Sequence, residues 1–407
     1  ATSEFDPSFK PSLHGSRRLS KVMSGCAWLL CVAVLTVIHA SDLFPSVKQE
    51  TVQVGRVQRI FHAQYPAGDA PAAGWPLVLS FHGWLSNALE MAAADKFRQS
   101  GARSAIVVHG EGYSDPLAPG WLPAHRWQSW NGGGSAGEED SGVDGPICRP
   151  TAVQDGGWQC YASCKARGYC TGNGYGKDRC RWSHCEDDVA FALAIVKHLK
   201  EHSWVDASRV YATGHSNGGV FIYELASDPR TAGVFAAIAP VSGLPHNGFN
   251  RGTLNPRMRF LEIGGSHDDF VWHFPNVPGD GTKSYGTCCG WYYSNWRNTT
   301  ALWASQKGLR EEDRAQITSK QSGLTCQGWS PDGTAEGADV GVCFYEGGHL
   351  SPESVWKLAW DFFDLPDTRL GEASLTSRVL VTFAAIAVVL MVISSVKWLV
   401  GAKRSKD

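Results

Sequence analysis

The chain has 407 residues, of which 43% are hydrophobic and 19% charged, and its formal net charge is −2 at pH 7. A disordered chain would be poorer in apolar residues and further from neutrality, and a nucleic-acid-binding protein normally carries a basic excess. Both classes are excluded. The length allows one large α/β domain or two smaller ones, with enough residues to bury a core.

The cysteine content indicates the redox compartment. Two of the twelve cysteines, Cys26 and Cys31, lie inside an apolar N-terminal run, which leaves ten between Cys148 and Cys343. An even set of this size predicts disulfides and therefore an oxidising compartment.

An apolar run near the N-terminus, residues 22–38, follows the basic residues Arg17, Arg18 and Lys21 and is followed by Ala40. This pattern predicts an N-terminal tail and signal peptide within residues 1–40. An uncleaved signal anchor is the alternative, because the basic cluster is well placed for one.

A second apolar run, residues 379–396, carries no charge. It predicts a membrane-spanning helix, preceded by a juxtamembrane linker at 367–378 and followed by a short basic cytoplasmic tail at 397–407. A GPI signal would end in apolar residues, whereas this chain ends in Lys-Arg-Ser-Lys-Asp. We therefore expect a single-pass membrane protein of the secretory pathway with its main domain lumenal or extracellular, where Asn298 is a candidate glycosylation site.

Short apolar segments alternate with helical patterns over residues 41–366. The first, residues 52–65, alternates polar and apolar residues before Pro66-Ala67-Gly68 and suits an antiparallel pair at a sheet edge. Further strands are predicted at 76–81, 105–108, 209–213, 235–240, 259–263 and 342–345, and helices at 87–100, 187–202, 218–226, 294–306 and 352–363. Continuous apolar strands between helices predict an α/β fold with a mostly parallel sheet covered on both faces.

The region from about 110 to 185 interrupts this alternation. It has no periodicity, and it contains Cys148, Cys160, Cys164, Cys170, Cys180 and Cys185. We interpret it as an insertion held by disulfides, whose pairing the spacing does not reveal. Zinc is the alternative, because Cys160, Cys164 and the pair His184-Cys185 have some character of a ligand set.

The segment from Gly214 to Gly219, Gly-His-Ser-Asn-Gly-Gly, lies between a predicted strand and a predicted helix. This is the context of a nucleophile elbow, in which glycines allow the chain to turn sharply and present a serine. The elbow predicts Ser216 as a nucleophile.

A serine hydroxyl needs a base to take its proton and an acid to orient that base. A loop after the strand at 259–263 contains Asp268 and Asp269, and His349 follows the strand at 342–345. In α/β-hydrolases the order is serine, acid, histidine. We therefore predict a triad of Ser216, Asp268 and His349, with Asp269 as the alternative acid.

Two backbone amides should stabilise the negative charge that develops on the substrate oxygen. One is the amide of Asn217, which follows the nucleophile. The other should come from the loop after the strand at 76–81, where we choose the amide of Trp84. The side chain of His82 in the same loop is expected to support the loop rather than to touch substrate.

Several segments carry a family resemblance, namely Leu79-Ser-Phe-His-Gly83, Trp130-Asn-Gly-Gly133, Asp187-Asp-Val-Ala-Phe191, residues 209–219, residues 235–241 and Gly347-Gly-His349. Together they resemble the secreted feruloyl esterases and poly(3-hydroxybutyrate) depolymerases, and the resemblance spans residues 50 to 365. It implies an α/β-hydrolase fold, a serine esterase mechanism and the triad named above. The cysteine-rich insertion and the C-terminal apolar segment depart from the family.

Cys326 and Cys343 bracket a predicted strand pair just before His349, where a disulfide would brace the histidine loop. The function expected from these observations is a serine carboxylic ester hydrolase that acts on hydroxycinnamoyl or related esters without metal or organic cofactor and without nucleic acid. A polyester depolymerase is one alternative. A non-catalytic membrane receptor on a hydrolase scaffold is the other, although every catalytic position carries suitable chemistry.

Overall fold

Fourteen strands and six α-helices form the part of the protein that a computed structural model describes, residues 47–95, 97, 104–115, 128–132, 162–167, 183–246, 257–271, 283–285 and 292–364. The predicted N-terminal tail and signal segment, membrane helix and basic tail lie outside these residues. Within the described ranges, no helix has both the length and the apolar character needed to span a bilayer.

The strands are β1 (Val47–Val54), β2 (Val57–Gln64), β3 (Trp75–Phe81), β4 (Ile106–Gly110), β5 (Tyr113–Ser114), β6 (Gln128–Ser129), β7 (Val205–His215), β8 (Ala237–Val241), β9 (Arg259–Gly265), β10 (Lys283–Tyr285), β11 (Tyr292–Ser294), β12 (Ala315–Ile317), β13 (Leu324–Trp329) and β14 (Val340–Tyr345). The helices are α1 (Ala88–Asp95), α2 (Ala162–Ala166), α3 (Asp188–His202), α4 (Asn217–Ser227), α5 (Trp296–Gln306) and α6 (Glu353–Phe363).

Ten strands form the central sheet in the order β1-β2-β4-β3-β7-β8-β9-β14-β13-β12. The six strands from β4 to β14 in this order run parallel to one another, and the antiparallel pairings lie towards the two edges. Parallel neighbours bring the carboxyl ends of β3, β7, β8, β9 and β14 to one edge of the sheet. The loops that carry the predicted site residues therefore meet there.

Helices cover both faces of the sheet. On one face, Leu77 and Leu79 of β3 pack in a core with Phe191 of α3 and Phe221 of α4. On the other face, Val78 packs in a second core with residues of α1 and α6. Successive side chains of β3 point to opposite faces of the sheet, and both faces are buried, so the sequence of β3 is apolar throughout. This architecture confirms the predicted α/β-hydrolase fold class.

The edge hairpin confirms the predicted antiparallel pair, but its bounds differ from the predicted segment. The chain turns at Gly55, which has a φ of 56°, so residues 52–65 contain the end of β1, the turn and β2. β1 begins five residues earlier than the predicted pattern, and it pairs with β2 across this turn. Glycine adopts such a left-handed conformation without steric cost.

Candidate active site

The chain turns sharply at Ser216, between the end of β7 and the start of α4. Ser216 has φ 55° and ψ −118°, which is a strained conformation for a residue with a side chain. A Cβ atom on Gly218 would lie 2.6 Å from the carbonyl oxygen of His82, so only glycine allows this close approach to the loop after β3. The backbone amide of Ser216 donates to the carbonyl of Val241 at 2.9 Å, which ties the turn to β8.

A continuous hydrogen-bond chain runs from Ser216 through His349 to Asp268. The Oγ of Ser216 lies 2.8 Å from Nε2 of His349, and Nδ1 of His349 lies 2.8 Å from Oδ2 of Asp268. Because an ionised carboxylate can only accept, Nδ1 carries the proton and Nε2 is free to accept from the serine. The structure thus brings together the three residues that the sequence placed after three different strands.

Asp268 is held as an oriented carboxylate. Its side chain is fully buried, and its Oδ1 accepts hydrogen bonds from the backbone amides of Phe270 and Val271, both at 2.9 Å. Asp269, the alternative acid, is exposed, and Asp268 is the residue that contacts His349. The backbone turn after β9 therefore places Asp268, rather than Asp269, against His349.

Asn217 occupies the first turn of α4, where backbone amides have no acceptor within the helix. Its side chain forms a two-point clamp: Oδ1 accepts from the amide of Trp130 at 2.7 Å, and Nδ2 donates to the carbonyl of Trp130 at 3.0 Å. The clamp fixes the orientation of Asn217, whose amide is one predicted oxyanion donor.

Trp84, the other predicted donor, lies in the turn after β3 and packs against an apolar cluster that includes Val220 and Leu244. The preceding residue approaches the nucleophile closely, since a Cβ on Gly83 would lie 3.3 Å from Cβ of Ser216. The turn after β3 therefore lies beside the serine.

His82 is fully buried, and both of its ring nitrogens have partners within the scaffold. Nδ1 donates to the carbonyl of Gly83 at 2.7 Å, and Nε2 accepts from the amide of Gly112 at 2.9 Å. Burial lowers the pKa of His82 to about 4, so its ring is neutral at pH 7. These contacts place His82 in a loop-supporting position.

A buried charged network beneath Trp130 was not anticipated from the sequence. Asp188 accepts from Arg59 at 2.8 Å and from the amide of Asn131 at 2.7 Å, and its carboxylate lies 3.2 Å from His184. Burial opposes ionisation of Asp188, but the neighbouring His184 and Arg59 outweigh it and lower its pKa to about 2. The Asp187-Asp188 pair was visible in the sequence, but nothing local indicated its partner on β2.

Two disulfides lie in the described part of the chain. Cys326 and Cys343 are directly opposed on β13 and β14, as predicted, and Cys164 is bonded to Cys185. The second bond removes these two thiols from the set considered for zinc. Four candidates fall outside the described residues, namely Cys148, Cys160, Cys170 and Cys180. Asn298, the glycosylation candidate, is exposed on α5.

Proteins that combine a mostly parallel sheet with a serine on a strand-to-helix elbow are α/β-hydrolases, and this chain has that fold. It is 29% identical to feruloyl esterase C of Emericella nidulans over 181 residues, which make up 42% of this chain and 57% of that relative. The match thus spans little more than half the length of the relative. No family model matches the chain.

Two solved structures of esterases are also similar. An acetyl xylan esterase from Aspergillus awamori superposes on 78% of this chain and 99% of its own, with a TM-score of 0.43 and 14% identity. A ferulic acid esterase from Anaeromyces mucronatus, solved with ferulic acid, superposes on 78% of this chain and 88% of its own, with a TM-score of 0.38 and 12% identity. The strand order and the elbow, rather than these superpositions, define the fold.

Proposed function

We propose that the protein is a serine carboxylic ester hydrolase with feruloyl esterase-like specificity. The observation that supports this most directly is the continuous hydrogen-bond chain from Ser216 to His349 to Asp268, with 2.8 Å at each junction. A serine at such an elbow, facing an imidazole whose other nitrogen is held by a buried carboxylate, is arranged for nucleophilic catalysis.

The proposed mechanism gives each group one step. Ser216 Oγ attacks the ester carbonyl while Nε2 of His349 takes its proton, and Asp268 stabilises the imidazolium that results. The amides of Asn217 and Trp84 hold the oxyanion, and Asn217 contributes from a helix N-terminus, where the dipole favours negative charge. His349 then protonates the departing alcohol. Water, deprotonated by the same histidine, releases the carboxylic acid from the acyl-enzyme.

Aromatic and apolar groups beside the histidine support an ester with an apolar or aromatic portion. The ring of Phe270 is 46% exposed, and its centroid lies 4.8 Å from that of His349. Leu350, the next residue after the base, is 77% exposed. An exposed ring at the site offers a face for stacking on an aromatic acid. The name of the curated relative, feruloyl esterase C, agrees with a hydroxycinnamoyl substrate.

The same proposal places the enzyme in the secretory pathway. Two disulfides in the described residues favour an oxidising compartment, and the apolar segment at 379–396 is the proposed membrane anchor. Fusing a glycosylation tag to the C-terminus tests the topology, because a cytoplasmic tail stays unglycosylated. Glycosylation of that tag would contradict the proposed anchor.

The test of the activity compares the full-length chain with Ser216→Ala on p-nitrophenyl acetate, methyl ferulate and 3-hydroxybutyrate oligomers. We expect methyl ferulate to be cleaved, with kcat/KM at least about a thousandfold lower in the variant. Ser208→Ala, at an exposed serine on β7, is the matched control and should retain full activity. A fluorophosphonate should label the wild type and the control but not Ser216→Ala.

The outcomes separate the alternatives. Preferential cleavage of the 3-hydroxybutyrate oligomers would replace the proposed substrate class while keeping the esterase. A folded wild-type protein that cleaves no ester and takes up no fluorophosphonate would contradict the proposed function and favour the receptor.

A further inference from the structure

The loop that carries His349 is pinned at three consecutive carbonyl groups. The carbonyl of Gly347 accepts from the amide of His267 at 2.8 Å, and the carbonyl of Gly348 accepts from the hydroxyl of Tyr345 at 2.8 Å. The carbonyl of His349 itself accepts from Nε2 of His215 at 2.8 Å. Two glycines precede the histidine, so the backbone has little stiffness of its own and these bonds supply it.

The bond from His215 links the elbow that carries Ser216 to the loop that carries His349. His215 is the residue before Ser216, and its ring centroid lies 5.0 Å from that of His349. Because a carbonyl oxygen can only accept, Nε2 of His215 must carry a proton. A single hydrogen bond therefore joins the elbow to the backbone of the histidine that faces it.

The bond from Tyr345 is itself supported from the neighbouring loop. Tyr345 donates to Gly348, so its oxygen accepts from the hydroxyl of Ser242, at 2.9 Å. Ser242 has a φ of 48°, and its amide donates to Ile263 at 2.8 Å. A non-glycine residue in this conformation is costly and persists where the surroundings require it. The strained residue here orients a hydroxyl that holds the tyrosine.

We propose that His215 and Tyr345 are positioning residues that set the approach of His349 Nε2 to Ser216 Oγ, a role that rests on the proposed function. Proton transfer requires the two atoms within hydrogen-bond reach, and displacement of a catalytic group by about 1 Å costs on the order of a hundredfold in rate. Neither residue contacts substrate in this role. Each acts through the backbone of His349.

The surroundings of His215 also suit this role electrostatically. Burial, followed by the charge of His349, lowers the pKa of His215 to about 4. His215 is therefore neutral at pH 7, and it places no second positive charge beside the imidazolium that forms on His349 during the reaction.

The test uses a matched pair of amide substitutions. Glutamine can place an N–H close to where Nε2 of histidine lies, whereas asparagine is too short to reach the carbonyl of His349. We expect His215→Asn to lower kcat by about ten- to a hundredfold with KM nearly unchanged, and His215→Gln to recover kcat to within about threefold of the wild type. Tyr345→Phe should lower kcat about tenfold.

Loss of stability alone is controlled with Leu199→Ala, which removes a buried side chain from α3, away from the loop. This variant should unfold at a lower temperature while retaining kcat at temperatures where it is folded. If His215→Asn and Tyr345→Phe keep the wild-type kcat, or if His215→Gln loses as much as His215→Asn, the positioning role is wrong.

The rate at which a fluorophosphonate labels Ser216 distinguishes failure of this role from failure of the proposed function. Labelling needs the activated serine but no particular ester. A wild-type chain that is not labelled contradicts the proposed function itself. Equal labelling rates in the wild type, His215→Asn and Tyr345→Phe contradict only the positioning role, whereas slow labelling in the two variants supports it.

Discussion

Three histidines make the stability of this protein depend on pH. Burial lowers the pKa of His62 and His82 to about 4, and burial with the charge of His349 does the same for His215. In the unfolded chain each ring titrates near 6.5. Unfolding below pH 6.5 therefore takes up protons that the folded protein does not bind, and acid favours the unfolded state.

The direction and size of this pH dependence follow from the three pKa values. A histidine whose folded pKa is lowered contributes fully above pH 6.5, and its contribution is lost as the pH falls from 6.5 towards 4. At about 1.4 kcal/mol per pH unit, each of the three histidines lowers the free energy of unfolding by about 2 kcal/mol at pH 5 relative to pH 7.5. Together they remove about 6 kcal/mol, which is comparable to the whole stability of many domains.

His82→Gln isolates one of these contributions. A glutamine oxygen can still accept from the amide of Gly112, as His82 does now, but glutamine does not titrate. We expect the variant to be less stable than the wild type at pH 7.5, with the difference in unfolding free energy shrinking by about 2 kcal/mol at pH 5. Urea unfolding with the disulfides intact, at half-unit steps of pH, measures both curves.

The control is Gln58→Ala, at an exposed residue of β2 that does not titrate, whose curve should run parallel to that of the wild type. Parallel curves for His82→Gln and the wild type would refute the reasoning, because they would show that His82 does not resist protonation in the folded state.

Two further changes test the scaffold around the site. Replacing Cys326 and Cys343 together by serine opens a link between residues 17 apart and should lower the unfolding free energy by about 3 kcal/mol in thermal unfolding, while unchanged stability would contradict the bracing role. Asp188→Asn should lower the free energy of unfolding by about 3–5 kcal/mol, because it leaves Arg59 buried without its carboxylate. The double variant Asp188→Asn, Arg59→Met should be less destabilised, and an equally unstable double variant would count against this explanation.

The elements that could be predicted from the sequence are those whose signal is local. Continuous apolar segments define the parallel strands, and the placement of Ser216, Asp268 and His349 after three of them follows from the rule that the carboxyl ends of parallel strands share an edge. The opposed pair Cys326 and Cys343 was predictable because the two cysteines bracket a predicted strand pair. Each inference needed only a short segment and a general rule of sheet geometry.

The features that escaped prediction depend on contacts between distant segments. Arg59 and Asp188 are 129 residues apart, and neither sequence neighbourhood indicates the other. The bond from Tyr345 to Gly348 spans only three residues, but it requires Ser242 from another loop to orient the tyrosine hydroxyl.

The strained backbone conformations near the elbow depend on the hydrogen bonds around them. Ser216 and Ser242 both adopt positive φ, and each donates its amide to a neighbouring strand, to Val241 and Ile263 respectively. These bonds hold conformations that isolated residues would avoid. In the proposed mechanism, a serine and a histidine that already lie 2.8 Å apart would need little reorganisation when substrate binds, because folding has fixed their geometry.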